Sequence, residues 1–408
     1  MAIRNKIRDI ELLRGIAVLA VIIHHLRDNL FTWVEAPLEP TGLSLQLWWG
    51  VDLFFVISGY VITRSVYPAL QSASDTRGYW RTSLQFWIRR AWRLLPTAWL
   101  WLGIAVLLAA FFNQSGAFGT VATNVQAGLA GFLHYANVRF ATSFLTYDYG
   151  VSFVYWSLSL EEQFYFLFPL LVFLLRRWLI AVLALVVLIQ LPLDRGIWMV
   201  AFRTDALAMG ILIALWQQRK QTLTLPLVDR IPVAARPLLT VALLVIMWLA
   251  ANANLSGRQI QFSLVAWISA LLVILAAQNR DLLLAPGRFK QGLCWVGSRS
   301  YGIYIIHIPA FLLTREIWYR LAPQGTQFGA EWTVPFLLTA MLLLVGLSEL
   351  NFRFVEKPLR DRGREIANRA RLTPAAMDPP RATDTVTLGM VAEAVIEAQE
   401  SSMTTRNN

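Results

Sequence analysis

The sequence predicts an all-α protein, a polytopic transmembrane bundle of about ten spanning helices with both termini in the cytoplasm. Of its 408 residues, 57% are apolar and only 15% are charged, whereas about a quarter of the residues in soluble domains are charged. Ten apolar segments approach the ~20 residues that a helix needs to cross a bilayer. They lie at 10–30, 45–66, 94–112, 153–175, 178–192, 197–216, 237–252, 260–278, 300–319 and 333–351.

The positive charge is distributed as the positive-inside rule requires for this topology. A formal charge of +11 would suggest nucleic-acid binding in a soluble protein. Here 28 of the 36 Lys and Arg residues fall in the N-terminal segment, in alternate loops and in the C-terminal tail, and six fall in the opposite loops. The first group is therefore expected to be cytoplasmic. We expect a multi-pass protein of the inner (plasma) membrane, with the bilayer and no nucleic acid as partner.

Segment 118–139 is an eleventh apolar candidate, but polar residues such as Asn124, His134 and Asn137 interrupt it. Counting it as a crossing would also break the segregation of positive charge. We therefore interpret it as a re-entrant segment or a partly buried loop.

The C-terminal part of the chain differs in composition from the rest. Residues 353–371 are strongly basic, as expected for a segment against an anionic inner leaflet. From Leu372 onward Pro, Thr and Ala dominate, which is typical of disorder, with one short candidate helix at 387–399. The expected organisation is a membrane-embedded domain at 1–360, followed at 361–408 by a basic juxtamembrane segment and a disordered cytoplasmic tail.

The first apolar segment carries Arg14 near one end and His24 and His25 near the other. Arg14 and His25 are eleven residues apart, so on a helix they lie only ~20° apart around the axis and ~16 Å apart along it. Both are predicted to face one interior seam, and His24 points ~100° away. The alternative is that Arg14 snorkels to the headgroups and His25 caps the helix end.

Further polar residues are expected in one layer near the outer ends of the spans, at a depth comparable to that of His25. They are Asp52 in the second span, Glu161 and Glu162 in the fourth, and Arg203 and Asp205 in the sixth. Intramembrane ionisable groups are costly and usually functional, so the layer predicts a polar site. The alternative for Arg203 and Asp205 is mutual neutralisation.

On the cytoplasmic side, Arg90 and Arg93 are three residues apart and share one helix face. Arginine forks suit phosphate oxygens, so with Arg14 they would form one cationic pocket facing the cytosol. Anchoring to the interface by positive charge is the alternative. The single cysteine, Cys294, excludes an intramolecular disulfide and a cysteine-based zinc site, and no metal site is predicted.

These residues resemble a known family. Arg14 and His25, the Arg90–Arg93 pair, and the blocks WGVDLFFVISGY, WSLSLEEQFYFLFP and SYGIYIIHIP are similar, in order, to the motifs of the integral-membrane acyltransferase-3 proteins, which O-acylate carbohydrates. The resemblance covers roughly residues 8–360. It implies an acyltransferase that transfers groups other than amino-acyl groups. The expected activity is that of an O-acetyltransferase with acyl-CoA (acetyl-CoA) as donor and a carbohydrate hydroxyl as acceptor. The acceptor is expected in a cell-surface or exported polysaccharide, its lipid-linked precursor, or a small-molecule glycoside.

The pattern of polar residues and the family resemblance together give one mechanistic hypothesis. Arg14, Arg90 and Arg93 would bind the phosphates of the donor. His25, oriented by Asp52 or Glu161, would take the proton of the attacking hydroxyl or carry the acyl group covalently.

Three further expectations accompany this hypothesis. His134 and His307 are weaker catalytic candidates. Many members of the family that the chain resembles carry an extracytoplasmic domain that is not expected here, so an envelope-assembly partner is expected in its place. The rival classes are a proton-coupled secondary transporter or flippase, which the absence of repeats disfavours, and an inactive interaction scaffold.

Overall fold

The computed structural model describes residues 7–34, 46–193, 195–220, 232, 235–252 and 260–372. Over these ranges the chain is helical and contains no β-strand. The predicted disordered tail beyond Leu372, including the candidate helix at 387–399, lies outside the described residues.

Fifteen α-helices form the bundle in the described part of the chain. In order they are α1 Arg8–Asn29, α2 Trp49–Gln71, α3 Thr76–Phe111, α4 Val121–Phe132, α5 Ala136–Ser143, α6 Tyr155–Leu175, α7 Leu179–Gln190, α8 Ile197–Ala201, α9 Asp205–Lys220, α10 Arg236–Asn252, α11 Gln261–Ala277, α12 Arg288–Ser298, α13 Ser300–Leu321, α14 Thr333–Asn351 and α15 Lys357–Leu372. One π-helical turn, Phe352–Glu356, joins α14 to α15.

Each of the ten predicted segments overlaps at least one of these helices. By length and composition, five helical stretches among the described residues could cross a membrane. They are Trp49–Gln71, Thr76–Phe111, Tyr155–Gln190, Ile197–Arg219 and Ala330–Arg369. The prediction of an all-helical membrane protein is confirmed, and the number of crossings and the side of the termini stay predictions.

One predicted helix boundary differs from the observed helix, and the predicted domain division stays a prediction. The third span was expected to begin near 94, after the arginine pair, but α3 starts at Thr76 and runs through Pro96 without ending. The arginines therefore stand on the same rigid helix as the apolar span. The predicted division after residue 360 falls inside α15, which packs along α3.

Segment 118–139 does not form one long helix. It folds as α4 and the first part of α5, separated by a turn at His134, whose φ is 59°. Positive φ is uncommon for a residue other than glycine. The turn explains how this apolar stretch can be helical without being a spanning helix.

The centre of the bundle is the crossing of α2 and α9, the most extensive helix pair in the fold. Gly59 and Gly210 lie at the contact, and a Cβ built on either would overlap a backbone carbonyl oxygen of the facing helix. Close backbone approach through small residues is typical of membrane helix pairs. The crossing fixes α2, which forms one wall of the site described next.

Candidate active site

A central cavity opens among α1, α2, α3, α6 and α13. Its polar wall residues are Arg14, Ser58, Arg90, Arg93, Ser157, Glu161, Tyr165, Ser300, Tyr301 and Tyr304. The three arginines predicted to form one cationic pocket therefore do line one space. The cavity also contains Glu161, which the sequence had placed in the opposite layer.

Arg90 and Glu161 meet at the wall of this cavity. Tyr165 Oη donates to Glu161 Oε1 at 2.5 Å, and Ser58 Oγ also hydrogen-bonds this carboxylate. The Arg90 guanidinium lies over the Tyr165 ring, 5.3 Å from its centroid. Arg93 contributes a buried Nε that has no hydrogen-bond partner among the described residues. The Arg90 guanidinium is thus held by aromatic packing, and the Arg93 Nε remains available to an acceptor such as an anion.

His25 is in contact with a second histidine, not with a carboxylate. Its Nδ1 lies 3.0 Å from Nε2 of His307 on α13, and the two rings stack at 5.2 Å. Phe153 packs edge-on against His25 at 5.3 Å. The side chain of His307 is fully buried. The contact that was expected between His25 and Asp52 or Glu161 is therefore made with His307 instead.

The contacts of His307 determine which nitrogen of His25 carries the proton. His307 Nδ1 lies 2.6 Å from the carbonyl oxygen of Tyr304, and a carbonyl only accepts, so Nδ1 is the donor. In a neutral ring Nε2 of His307 is then the acceptor, and Nδ1 of His25 must donate to it. This leaves the lone pair of His25 Nε2 for a proton or an electrophile, the state that a general base needs.

A second space, the loop cavity, lies near the other end of α1. It is lined by Asn29, by residues of the loops 116–120 and 148–151, and by Phe153, Ile308, Leu312 and Arg315. Asn29 donates to the backbone carbonyl of His25 at 3.0 Å. The loop cavity therefore adjoins the histidine pair.

Both histidines lie between the two cavities along their own helices. On α1, Arg14 lines the central cavity and Asn29 lines the loop cavity, with His25 between them. On α13, Tyr304 lines the first and Ile308 the second, with His307 between them. At 1.5 Å per residue, Arg14 and Asn29 are about 22 Å apart along the helix. The histidine pair therefore stands between two spaces at different depths.

Asn124 joins the two loops that form the loop cavity. Its Nδ2 donates to the carbonyls of Phe118 and Thr120 at 2.6 and 2.9 Å, and its Oδ1 accepts from the Val151 N–H at 2.9 Å. The residue is almost fully buried. The sequence treated Asn124 only as an interruption of an apolar run. Its function as a brace depends on loops distant in sequence.

Asp52 has a different partner from the one expected. Its carboxylate lies 3.2 Å from Arg203, and both side chains are at most 2% exposed. The Arg203 guanidinium is surrounded by aromatic rings, the nearest being Trp156 and Phe262 at 5.2 Å. Asp52 lines neither the central nor the loop cavity. Its observed contact is therefore structural, between α2 and the segment before α9.

Asp205 forms a second buried ion pair next to the first. Arg195 Nη2 lies 2.5 Å from Asp205 Oδ2 and also donates to Ser263 at 2.9 Å. Arg203 and Asp205, which the alternative interpretation paired with each other, thus each form an ion pair with another residue, Arg203 with Asp52 and Asp205 with Arg195. Glu162 is also engaged elsewhere, 2.5 Å from Nδ1 of His134. The predicted single polar layer is divided among three separate pairs.

The structure brings together Arg14, Arg90, Arg93 and Glu161, but it does not bring Asp52 to His25. The sequence analysis ranked His307 among the weaker catalytic candidates. Its position in the block SYGIYIIHIP was the signal that could have found it. Within the described residues, no group of three or more His, Cys, Asp or Glu side chains could hold a metal ion.

Comparison with known proteins identifies one family and several relatives. The model of the acyltransferase domain family matches residues 7–348. Peptidoglycan O-acetyltransferase OatA of Listeria monocytogenes is 27% identical over 394 residues, which is 88% of this chain and 57% of that protein. The putative peptidoglycan O-acetyltransferase YrhL of Bacillus subtilis is 27% identical, covering 86% of this chain and 54% of that protein. O-acetyltransferase OatA of Staphylococcus aureus is 27% identical, covering 86% of this chain and 57% of that protein.

The chain therefore spans a little over half the length of these relatives. No solved structure matches it.

Proposed function

The chain belongs to the acyltransferase family, and on that premise we propose that it is a membrane-bound O-acetyltransferase. It transfers an acetyl group from acetyl-CoA, bound from the cytoplasm, to a hydroxyl of a cell-envelope carbohydrate. Relatives are named for action on peptidoglycan, which is therefore the first acceptor to test. The observation that carries the proposal is the position of the His25–His307 pair between the central and loop cavities.

The central cavity is proposed as the donor site. Arg14, Arg90 and Arg93 supply cationic forks that match phosphate oxygens, and the cavity continues between α2 and α13 toward Tyr304. Tyr304 is one turn from His307, about 4.5 Å along the helix. A thioester at the end of a flexible arm, entering past the arginines, would approach the histidine pair from this side.

The loop cavity is proposed as the acceptor site. Its wall offers hydroxyl, carboxylate and guanidinium groups from Thr120, Asp148 and Arg315, together with the aromatic ring of Tyr149. Such a mixture suits the hydroxyls and apolar faces of a sugar. A hydroxyl bound beside Phe153 would lie close to His25.

In the reaction, His25 Nε2 removes the proton from the acceptor hydroxyl as its oxygen attacks the thioester carbonyl carbon. A C–O bond forms, the C–S bond breaks, and the departing thiolate of CoA takes the proton from the His25 imidazolium. His307 stabilises that imidazolium through its acceptor nitrogen. In the covalent variant, the same lone pair attacks the thioester first and passes the acetyl group to the hydroxyl. Glu161 is proposed to position Ser58 and Tyr165 at the donor wall, and Asp52 to hold Arg203.

Membrane orientation completes the proposal. The segregation of positive charge supports a cytoplasmic position for α15 and the start of α1 at the inner membrane. Acetyl-CoA is a cytoplasmic metabolite, so the arginines of the central cavity would face the compartment that supplies the donor. The loop cavity would open toward the side where envelope polysaccharides are built, and an assembly partner could receive or deliver the acceptor there.

Purified protein in detergent tests the function directly. With [acetyl-¹⁴C]acetyl-CoA and soluble peptidoglycan fragments, we expect acetylated carbohydrate, and slow release of acetate when no acceptor is added. A transporter or flippase would give neither product. Absence of both, in protein that retains its thermal unfolding transition, would overturn the proposal.

The arginine contribution is tested by substitution and by salt. Arg90→Ala and Arg93→Ala should raise the KM for acetyl-CoA, and raising the salt concentration should partly reproduce this effect in the wild type, because ions screen partly exposed charges. Lysine at either position should restore binding incompletely, since an ammonium lacks the bidentate fork. An unchanged KM in both alanine variants would reduce these residues to membrane anchors.

A further inference from the structure

A third space, the peripheral basic cavity, lies between α2, α3 and α15. Six arginines line it: Arg81, Arg89, Arg90, Arg93, Arg360 and Arg364. No carboxylate stands among its lining residues in the described part of the chain. Such a concentration of guanidinium groups without acidic neighbours in the wall favours a polyanionic ligand.

The arginines come from two helix faces that point at each other. On α3, Arg81, Arg89 and Arg93 follow each other at multiples of four residues, and Arg360 and Arg364 do so on α15. Residues four apart are neighbours on a helix surface. Each helix therefore presents a continuous basic stripe to the cavity.

Gly363 allows the two stripes to meet. A Cβ built on Gly363 would overlap the side chain of Trp92 on α3, so only glycine permits this approach of α15. The position explains how a surface helix with exposed arginines forms one wall of a cavity instead of lying apart.

Several guanidinium groups in the cavity have spare hydrogen-bonding capacity. Arg89 makes no ion pair with another described residue, and the buried Nε of Arg93 and of Arg360 lacks a hydrogen-bond partner in the described part of the chain. Among the described residues, Arg364 pairs with Asp361 at 3.0 Å. Buried donors without partners are costly, so their presence points to a ligand with acceptor oxygens.

The peripheral basic cavity is connected by shared residues to the proposed donor site. Arg90 and Arg93 line both it and the central cavity. A donor that places its thioester in the central cavity must extend past these two residues toward the surface. What lies outward from them is the peripheral basic cavity.

We propose that the peripheral basic cavity binds the nucleotide end of the acyl-CoA donor, with Arg89 and Arg364 holding the 3′-phosphate. This inference rests on the proposed function. The diphosphate then lies near Arg90 and Arg93, where the two cavities join, and the pantetheine arm enters the central cavity. Gln85, Thr82 and Asn368 in the same wall supply neutral hydrogen-bonding groups for the adenosine. Arg360, Arg364 and Asn368 lie beyond residue 348, where the family match ends, so the wall formed by α15 is outside the matched region.

The test compares two ligands that differ only in the 3′-phosphate. Isothermal titration calorimetry in detergent measures CoA and 3′-dephospho-CoA binding to the wild type, to Arg89→Gln and to Arg364→Gln. The wild type should prefer CoA, and each variant should weaken CoA about tenfold, as expected for one charge-assisted hydrogen bond. Binding of 3′-dephospho-CoA should change little, so the preference should disappear.

Arg362→Gln is the matched control. Arg362 is an exposed arginine on the same helix that does not line the cavity, so its loss changes net charge equally but should leave the preference for CoA intact. A preference that survives in the Arg89 and Arg364 variants, or that Arg362→Gln also abolishes, would overturn the assignment.

An anionic lipid headgroup has the same phosphate chemistry, and a second measurement separates the two sources. Native mass spectrometry with phosphatidylglycerol should give equal lipid retention for the wild type and for Arg364→Gln. Lipid loss in the variant with an unchanged CoA preference would make the cavity a lipid site and refute the inference. If the wild type binds CoA but shows no preference for the 3′-phosphate, the nucleotide site fails and the proposed function stands. If it binds no CoA at all, the proposed function itself fails.

Discussion

Replacing His307 by leucine is expected to slow acetyl transfer without weakening donor binding. Leucine fills the buried space but cannot accept the proton of His25 Nδ1, which lies 3.0 Å from His307 Nε2. As His25 takes the acceptor proton it becomes an imidazolium, and its bond to His307 becomes charge-assisted. The variant therefore loses a stabilisation that is larger in the transition state than in the ground state.

The magnitude follows from the strength of that bond. Hydrogen bonds to charged groups contribute about 1.5–3 kcal/mol, and each 1.36 kcal/mol corresponds to a factor of about ten in rate. We therefore expect kcat to fall about 10- to 150-fold. The KM for acetyl-CoA should stay near the wild-type value, because His307 does not line the central cavity.

Steady-state acetyl transfer to soluble peptidoglycan fragments, with thermal unfolding as a stability control, measures both effects. His307→Gln should recover part of the rate, since the glutamine carbonyl can accept from His25 Nδ1 and restore the same tautomer. Equal losses in the leucine and glutamine variants, or a rate loss that only follows lower stability, would refute the proposed orienting function of His307.

Three further outcomes are expected. In the transfer assay, His25→Ala should abolish acetyl transfer at near wild-type expression and stability. His24→Ala should retain most activity, because the His24 side chain leaves the helix ~100° away from that of His25. The opposite result would contradict the helix-face argument. Asp52→Asn should lower the thermal unfolding temperature, since breaking a buried ion pair costs about 3–5 kcal/mol. Adding Arg203→Leu should recover much of the lost stability. A loss of turnover at full stability would instead indicate a direct catalytic function for Asp52. Asn124→Ala should raise the KM for the carbohydrate, because it frees the loops of the acceptor site, and should leave the KM for acetyl-CoA unchanged in the same kinetic assay. A change in the KM for acetyl-CoA alone would argue against the assignment of the loop cavity as the acceptor site.

The sequence by itself determined the class of the protein and the position of most helices. Hydropathy and the 3.6-residue period are local properties, so each of the ten apolar segments could be located without knowledge of its neighbours. The same period placed Arg14 and His25 on one seam, and in the structure both face residues of α13. The rule that residues three apart are neighbours on a helix likewise put Arg90 and Arg93 on one face.

Only the tertiary structure decided which side chains meet across the bundle. His25 and His307 are 282 residues apart, and no local pattern records that α1 and α13 bring them into contact. Asp52 is paired with Arg203 because close backbone contact at Gly59 and Gly210 joins α2 to α9. Charge type and depth, which the sequence does reveal, leave several partners equally suitable for a buried carboxylate. The choice among them is made by the packing of helix faces, which depends on small residues at each crossing and on every other helix in the bundle.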